Sequence, residues 1–487
     1  MSKPNLLILM LEHGHYGTLA PGGPVDLPNI AGLLEEGCWL ESMYTVAAHS
    51  CPARASFFTG VYPSWHGIFN NVCNPTALRT GIHEGVKHFS EPLAGLGYEL
   101  RLTGKWHISV EERPESKGWK GFGRVTSTEM SGRGTFDPGA GERALRHEKS
   151  LGELADAVTI RRDGWPTVLL SGAHSRPLEE TAEYELGMDA IGQIEELSKG
   201  KAPWCIYCGW QAVHDPYRPP QSYAKRFAAD EVDLPANFHD DLSDKPAVYR
   251  RQKRLWGQLS EAQVRQAIAH YRAWCKAMDD IIGMVLEALD RTGQRENTMV
   301  VLNTDHGDYL GAHGLWCKGI PCFEEAYHLP TAIRWPAGIG SKKRRIKSIG
   351  HIVDFAPTFL EAAGAQMYEP MSGQSLLPLL DGREKDGQRN EFYAQMNGVE
   401  LYYTQRIMRV GRYKYVFNGF DFDELYDLEK DPGELKNRID DPSLERVRRD
   451  LLGRLWEHVK REKDPVDNQY ATVGLIPVGP FPEFRLK

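Results

Sequence analysis

One serine and three basic residues stand in polar segments whose side chains could do chemistry on an anion. Ser50 offers a hydroxyl oxygen as a nucleophile, and Arg54 follows it by four positions. Lys105 and Lys318 add two further cations. The negative oxygens of an anionic ester must be neutralised before an oxygen nucleophile can approach, and these three cations could supply that charge.

Two histidines, His107 and His214, could move protons in the same reaction. An imidazole titrates near neutral pH, so one ring could protonate a departing alkoxide and the other could act in releasing a covalent intermediate. Asn71 could add a neutral hydrogen-bond donor to the anion. Each residue alone is equally compatible with a solvated surface position, and the prediction rests on their occurrence together.

Two acid–histidine pairs directly follow predicted strands. The runs Asn5–Leu11 and Thr298–Thr304 are almost continuously apolar, which is typical of strands buried on both faces of a parallel sheet. Glu12-His13 follows the first run and Asp305-His306 follows the second. Ligands of open α/β sheets bind beyond the carboxyl ends of the strands, so both pairs are expected at one functional edge.

The remaining pattern predicts how these strands are connected. A capping box at Ser260-Glu261-Ala262-Gln263 starts a helix that runs to Gly293, and Ala202–Trp210 is a further strand. Alternating strands and helices favour an α/β fold with a large mixed, mostly parallel sheet sandwiched by helices. The stretches 110–180 and 215–255, rich in glycine, proline and charge, are predicted to be long loops over the sheet edge.

A second, smaller domain is predicted after residue 385. Short strands and one helix are expected there, at Glu391–Gln395, Arg406–Val410, Tyr413–Asn418 and from about Ser443 to Lys460. We therefore predict a catalytic α/β domain over 1–385. An α+β domain with a short antiparallel sheet and a tail is predicted over 386–487.

Composition excludes several classes of partner. The net charge of -8 gives no basic surface for nucleic acid or an anionic membrane. The apolar run at Leu6–Leu11 is too short for a signal peptide, and no stretch approaches the roughly 18 apolar residues of a membrane span. A cytoplasmic protein with its eight cysteines reduced is predicted. Cys205 and Cys208 are interpreted as core residues rather than a redox pair.

The segment Ser50–Gly60 resembles the motif of sulfatases: Cys or Ser, any residue, Pro, any residue, Arg, then Ser/Thr-Gly five residues on. Further segments resemble landmarks of that family in the same order, and together they span nearly the whole chain. They are Lys3–Asn5, Leu27–Ile30, Thr103–His107, Val213–Tyr217, Thr304–Asp308, Gly311–Gly319 and Glu424–Pro432.

The resemblance implies an alkaline-phosphatase-like fold and a set of roles. Residue 50 would be the nucleophile after oxidation to formylglycine, a modification that a maturation enzyme makes. One divalent metal is implied, with Ca or Mn foremost and Zn or Fe as alternatives. The implied catalytic residues are Ser50, Arg54, Lys105, His107, His214 and Lys318, the substrate-binding residues Asn71 and His313, and the metal ligands Glu12, His13, Asp305, His306 and Ser50.

Two positions depart from the family pattern. Sulfatases usually carry Asp-Asp where this chain has Glu12-His13, and two carboxylates with two imidazoles suit Mn, Fe or Zn better than Ca. Alternatively, Glu12 and His13 merely cap a strand and the metal is lost. An unmodified Ser50 is suited to phosphorus rather than sulfur chemistry. It could also be oxidised by an anaerobic maturation enzyme, or stand for a replaced cysteine.

Three functions therefore remain open. The leading hypothesis is a sulfatase acting on a sulfated carbohydrate or an aryl sulfate. The second is a phosphonate monoester or phosphodiester hydrolase, which shares Pro52-Ala53-Arg54 and Asp305-His306 but carries Tyr and Thr in place of Lys105 and His107. The third is a catalytically silent binding protein. A homo-oligomer is possible, because the tail after Asp464 could reach a neighbouring subunit.

Overall fold

A nine-stranded sheet dominates the computed structural model, which describes residues 3–73, 77–126, 153–162, 165–398, 402–475 and 477–480. The described strands are β1 (Asn5–Leu11), β2 (Cys38–Tyr44), β3 (Glu99–Lys105), β4 (Lys120–Thr126), β5 (Ala155–Arg162), β6 (Trp165–Ala173), β7 (Trp204–Gly209), β8 (Thr298–Thr304), β9 (His328–Arg334), β10 (Arg344–Ile346), β11 (Gly350–His351), β12 (Glu391–Met396), β13 (Gln405–Val410), β14 (Tyr413–Asn418) and β15 (Glu424–Asp427).

Strand order in the large sheet is β10-β2-β9-β8-β1-β7-β3-β4, and β11 pairs beside β2. The central strand β1 runs parallel to β8 on one side and to β7 on the other. Only the β2–β9 and β8–β9 pairs among the described strands of this sheet are antiparallel. The predicted mixed, mostly parallel sheet is therefore confirmed.

Two hydrophobic layers cover the faces of this sheet. The even-numbered residues of β1 from Leu6 to Met10 belong to one buried cluster, and the odd-numbered residues from Leu7 to Leu11 belong to the other. Side chains alternate between the faces of a strand, so a strand buried on both faces must be apolar throughout. Burial of each such side chain contributes about 1.5–3 kcal/mol, which fixes β1 at the centre.

Helices form the outer layers. The described helices are Tyr16–Leu19, Pro28–Glu35, Ser50–Thr59, Pro63–His66, Ser90–Gly95, Ala182–Leu197, Gln221–Ala224, Ala247–Trp256, Glu261–Arg291, Glu324–Tyr327, Pro336–Ile339, Phe355–Ala363, Leu377–Leu380, Glu445–Arg461 and Gln469–Gly474. The predicted start of the longest is confirmed, because the Ser260 hydroxyl accepts from the Gln263 amide and the Gln263 side chain accepts from the Ser260 amide.

The three predicted strands after residue 385 and a fourth that was not predicted, β15, form a separate antiparallel sheet of order β12-β13-β14-β15. The helix Glu445–Arg461 packs on β13 and β14. Trp456 of this helix and Tyr393 of β12 belong to the same buried cluster as Leu6, so the small sheet shares a core with the large one. The boundary between 1–385 and 386–487 stays a prediction.

The interpretation of 110–180 and 215–255 as loops is wrong for part of each stretch, whereas 232–246 contains no helix or strand, as predicted. The first stretch contains the edge strand β4 and the antiparallel ribbon of β5 and β6, while 127–152 and 163–164 lie outside the described residues. The second contains the helices Gln221–Ala224 and Ala247–Trp256. Charged and glycine-rich composition hid these elements, because each buries only a few apolar residues, such as Val158, Ile160 and Leu170 in the ribbon and Tyr249 in the second helix.

The cysteines behave as predicted. All eight are free, and Cys205 and Cys208 are fully buried. Cys205 faces one hydrophobic cluster and Cys208 faces the other, so the sheet separates their thiols. Among the described residues, no helix has the length and apolar character needed to cross a membrane.

A buried ion cluster joins the two sheets. Glu324 accepts hydrogen bonds from Tyr44 (2.7 Å) and Arg409 (2.9 Å) through one oxygen and from Lys414 (3.1 Å) through the other. Tyr44 ends β2, whereas Arg409 and Lys414 lie on β13 and β14. Burial alone would raise the pKa of Glu324, but the two cations lower it to about 2.

We expect Glu324→Gln to lower the free energy of unfolding at pH 7 by about 3 kcal/mol, because Arg409 loses its carboxylate partner and Lys414 keeps only Glu434. The folded pKa lies below the unfolded one, so this stabilisation is present above about pH 4.5 and is lost as the pH falls towards 2. Urea unfolding at pH 7 and pH 3 measures it, and the difference between the two proteins should fall by about half at pH 3. Glu361→Gln, which breaks an exposed pair with Arg383, is the control; an equal loss in both variants would contradict the prediction.

Candidate active site

Four neighbouring strands end at one edge of the large sheet and carry the polar residues that the sequence singled out. The order β8-β1-β7-β3 brings the carboxyl ends of these parallel strands together. These ends carry, in sheet order, Asp305 and His306, then Glu12 and His13, then His214, and finally Lys105. The predicted convergence at the strand ends is confirmed as geometry.

A close approach between β3 and β7 positions Lys105. Gly104 has φ of +84°, and a Cβ atom there would lie 2.0 Å from the carbonyl oxygen of Gly209. Only glycine fits this contact, so the sequence Gly104-Lys105 is dictated by the backbone as well as by chemistry. His13 and His107 also have positive φ values, 57° and 60°. Such strained positions are uncommon for residues other than glycine and cluster at functional sites.

Ser50 begins the helix Ser50–Thr59, so its hydroxyl stands at the positive end of the helix dipole. The hydroxyl donates to Oε1 of Glu12 (2.7 Å) and also lies 3.0 Å from Nε2 of His306. Nδ1 of His306 is 2.9 Å from the Gly307 carbonyl, which assigns the ring proton to Nδ1. Two acceptors and one hydroxyl proton therefore meet at Ser50.

Glu12 is a fully buried carboxylate with several positive neighbours. Lys105 donates to its Oε1, and Nε2 of His214 lies 4.0 Å from the same oxygen. The other oxygen, Oε2, is buried without a hydrogen-bond partner among the described residues. Burial would raise the pKa of Glu12, but Lys105, His214 and Arg54 hold it well below its ordinary value. Glu12 is thus an anion with one oxygen open to a further cation.

Arg54 is engaged by protein atoms more than the sequence suggests. Its Nε donates to Asp305 (3.0 Å), and its Nη1 donates to the Tyr207 hydroxyl (2.8 Å) and to the Lys105 carbonyl (3.2 Å). Nη2 alone is without a partner in the described part of the chain. Arg54 therefore fixes the Asp305 carboxylate, and only Nη2 could touch an anion.

On the other side of Glu12, Lys318 bridges two histidines. Its ammonium contacts Nε2 of His13 and lies 3.1 Å from Nε2 of His214. Nδ1 of His13 is 2.9 Å from Asp308, a fully buried carboxyl that also accepts from the Tyr217 hydroxyl (2.8 Å). Burial raises the pKa of Asp308 to about 8. These contacts hold the His13 ring in one orientation.

Two overlapping groups could hold a metal ion. One ligand atom each from Glu12, Asp305 and His306 lies within 4.8 Å of the others, and the same is true of Glu12, His13 and His214. The unpartnered oxygen of Glu12 and the shortage of protons at Ser50 both fit a cation in the first group. A mixed oxygen and nitrogen set suits Mn, Fe or Zn. His13 belongs only to the second group, where Lys318 already supplies a positive charge.

Comparison with known proteins decides the family. The profile described as Sulfatase matches residues 4–365. The chain belongs to the sulfatase family. A second profile, described as the C-terminal part of N-sulphoglucosamine sulphohydrolase, matches residues 311–461 of this sulfatase.

Relatives cover nearly the whole of this sulfatase. An uncharacterized sulfatase, YidJ, from Escherichia coli (strain K12) is 27% identical over 471 residues, which is 96% of this chain and 89% of YidJ. BT4656, solved in complex with its substrate D-glucosamine-2-N,6-O-disulfate, superposes with a TM-score of 0.76 and 22% identity over 96% of this chain and all (100%) of its own. A phosphonate monoester hydrolase from Silicibacter pomeroyi superposes with a TM-score of 0.77 and 20% identity, over 95% of this chain and 97% of its own. At these identities the solved structures show a shared fold.

Not every predicted residue of this sulfatase reaches the centre. Nε2 of His107 lies 3.6 Å from the Cys73 sulfur. Burial and, to a smaller extent, the charge of Lys105 lower the pKa of His107, which therefore borders the cluster. The side-chain oxygen of Asn71 is 3.4 Å from the Cys51 amide, one residue after Ser50. His313 is fully buried, and its ring nitrogens contact Asp240 (2.7 Å) and Asn237 (2.9 Å). Those contacts give His313 a structural position and do not support substrate binding.

Sequence reasoning missed three residues of the site. Asp308 and Tyr217 stand inside segments that were recognised, but neither was assigned a role, although a carboxyl three positions after Asp305 is a usable signal. His49, next to Ser50, is buried, and Lys318 and His306 lower its pKa after burial. Its position follows from the chain path into the helix, which no spacing reveals.

The metal content of variants shows which of the two candidate ligand groups binds the metal ion. Glu12→Gln should reduce bound metal about tenfold or more, because it removes a charge that both groups share, whereas His214→Ala should retain the metal. Turnover of a sulfate ester should fall by about a hundredfold or more in His214→Ala, as expected when a proton-transfer group is lost. Elemental analysis after dialysis and initial rates give both values. Equal loss of metal in the two variants would assign His214 to the metal instead.

Proposed function

We propose that this protein hydrolyses a sulfate ester of a carbohydrate or an aryl alcohol through a covalent intermediate on residue 50. The observation that carries the proposal is the shared contact of Ser50 and Lys105 with one buried oxygen of Glu12. It places a hydroxyl and a cation at the same point, at the amino end of a helix. Anions are stabilised at such helix ends.

Lys105 and Lys318 would neutralise the negative charge of the bound sulfate ester. Burial lowers the pKa of Lys105, while Glu12 acts in the opposite direction. Lys318 lies on the other side of Glu12 with its ammonium between two histidine rings. An ester sulfate between Lys105 and Lys318 would receive hydrogen bonds from both, and these strengthen as charge develops in the transition state.

The reaction itself is a displacement at sulfur. The oxygen of residue 50 forms a bond to sulfur, the bond from sulfur to the ester oxygen breaks, and the departing alkoxide takes a proton. His214 suits this last role, because its ring lies 3.1 Å from Lys318 and also forms part of a cavity wall where a leaving alcohol would fit. Burial and Lys318 lower its pKa, and the negative charge of a bound ester would act in the opposite direction. His107 is then left for release of the intermediate.

Glu12, Asp305 and His306, together with residue 50, are the residues that would hold a divalent metal. Such an ion, when bound, acts as a Lewis acid on the ester oxygens and lowers the pKa of the attacking hydroxyl. Oxidation of Ser50 to formylglycine would give its hydrate a second hydroxyl, through which the sulfated intermediate can collapse to an aldehyde. Plain Ser50 would need attack by water on sulfur.

Phosphorus chemistry is the second candidate function. The pair Asp305-His306 and an unmodified Ser50 favour it, and the fold is shared with a phosphonate monoester hydrolase. Lys105 and His107 favour sulfate, because that hydrolase group is known to us with Tyr and Thr at these positions.

Substrate preference tests the choice. Protein co-expressed with a formylglycine-generating enzyme should have a higher kcat/KM on 4-nitrophenyl sulfate than on a phosphonate monoester or a phosphodiester of the same phenol, since Lys105 and His107 are present. Initial rates on the three esters at one pH give the comparison. The reverse order would assign the protein to phosphorus esters.

The state of residue 50 is tested by mass. A tryptic peptide carrying residue 50 should have lost two hydrogens in active preparations, because formylglycine is an oxidised serine. Ser50→Ala should lose essentially all turnover, and Ser56→Ala, in the same helix, serves as the control. Full activity with an unmodified peptide would show that serine itself is the nucleophile.

A further inference from the structure

A second feature of the molecule is a cavity of about 640 Å³ that opens beside the proposed centre. His214 and Asp215 form the wall nearest to Ser50 and Lys318, and Arg176 and Arg218 also line the cavity. A group attached to the reacting ester would therefore extend into this space. The chemistry of the cavity wall then selects which esters can react.

The backbone holds the two arginines in place. Strand β6 continues alongside the segment that follows His214: the Gly172 amide donates to Tyr217 (3.0 Å) and the His174 amide donates to Pro219 (3.1 Å). Bridges at Ser171–Tyr217 and His174–Pro220 place Arg176 and Arg218 on two paired segments. Both arginines are thus presented by a paired backbone instead of an isolated loop.

Arg218 of this pair has a hydrogen-bond donor that is not used within the described part of the chain. Nε of Arg218 is buried and has no hydrogen-bond partner among the described residues. Burial and the neighbouring Arg176 lower the pKa of Arg218 more than Glu183 raises it. Two close guanidinium groups with a buried donor left over are costly unless an anion joins them, and a planar fork of donors fits a carboxylate or a sulfate.

Acidic residues stand on the same wall, and they decide against a free inorganic anion. Five carboxylates line the cavity: Glu179, Glu180 and Glu185 are exposed, where water and salt screen their charge, and Glu183 and Asp215 are half-buried. Their oxygens accept hydrogen bonds from hydroxyl groups. A saccharide offers hydroxyl donors and an anionic substituent together, which matches a wall of acids and arginines.

We infer that this cavity is a subsite for a second anionic group, a carboxylate or a further sulfate, on the saccharide whose sulfate ester reacts at residue 50. Arg218 is its main ligand and Arg176 its second. The inference rests on the proposed function, because the reacting ester positions the rest of the molecule in the cavity. It adds the substrate class: sulfated saccharides with at least two negative charges.

Matched substrate pairs test the subsite. The first pair is N-acetylglucosamine 6-sulfate and glucosamine-2-N,6-O-disulfate, in which a second sulfate replaces a neutral acetyl group on the nitrogen. The second is a sulfated disaccharide containing a uronic acid and the same disaccharide with its carboxyl reduced to an alcohol. In at least one pair the wild-type kcat/KM should be about tenfold higher for the dianionic member, as for one charge-assisted hydrogen-bond pair, and the pair that responds identifies the second anion.

Arginine variants assign the effect. Arg218→Gln should reduce that ratio about tenfold, and Arg176→Gln should reduce it less because Arg176 is exposed. Arg226→Gln is the matched control: Arg226 is exposed, stacks on Tyr223 at 4.4 Å and does not line the cavity, so the ratio should not change. Circular dichroism checks that the variants fold.

Each outcome decides. An equal loss on 4-nitrophenyl sulfate and on both pairs in Arg218→Gln, or no preference in either wild-type pair, would overturn the subsite. Absence of hydrolysis of every sulfate ester would overturn the proposed function instead. In that case calorimetric binding of the disulfate and the monosulfate to wild type and Arg218→Gln still tests the cavity, and equal affinities would reject it.

Discussion

The buried carboxylate of Glu12 is the interaction on which the rest of the site depends. It follows a strand that is buried at every residue, where desolvation of an anion would be prohibitive without compensation. Lys105 and Ser50 both contact it, and each comes from a different part of the chain. These groups compensate the buried charge of Glu12. The same arrangement concentrates charged and polar groups at the strand ends.

Further charge pairs surround Glu12 and its partners on two sides. Arg54 neutralises Asp305 behind the nucleophile, and Lys318 stands against His13 on the far side. In turn, Asp308 and Tyr217 anchor His13. A charged network of this kind gains little net stability from each pair, since burial of the charges offsets their attraction. The network instead fixes the positions of the site residues, because every member restricts the rotamers of its neighbours.

The central strands and the long helix could be predicted because buried elements have strong, regular patterns. β1 and β8 match their expected bounds, and Ser260 caps the predicted helix. The strand ends then fixed most of the candidate site, since parallel strands meet at one edge. The ribbon of β5 and β6 could not be found, because its composition is that of a surface loop and its pairing with the segment after His214 is long-range.

Side-chain direction was the second obstacle. The segment containing His313 resembles its family counterpart, yet the ring turns into a buried polar contact with Asp240 and Asn237. Conversely, Asp308 was passed over although it stands beside recognised residues. The spacing of motifs along the chain predicts which segments reach the site. The side-chain direction of a residue with a positive φ, such as His313, depends instead on neighbours that are far away in the sequence.

The ribbon has a consequence for how such a molecule can change over time. β5 and β6 pair only with each other as named strands, and the large sheet closes without them. The side of the cavity that carries Arg176 is joined to the large sheet in two ways: its backbone contacts residues 217–221, and the ribbon packs on the helix Glu261–Arg291. Substitutions at the exposed residues of this ribbon can change the cavity wall, whereas substitutions at Val158, Ile160 or Leu170 also disturb the core that covers one face of β1. The exposed residues of the ribbon can therefore vary more freely than its buried ones.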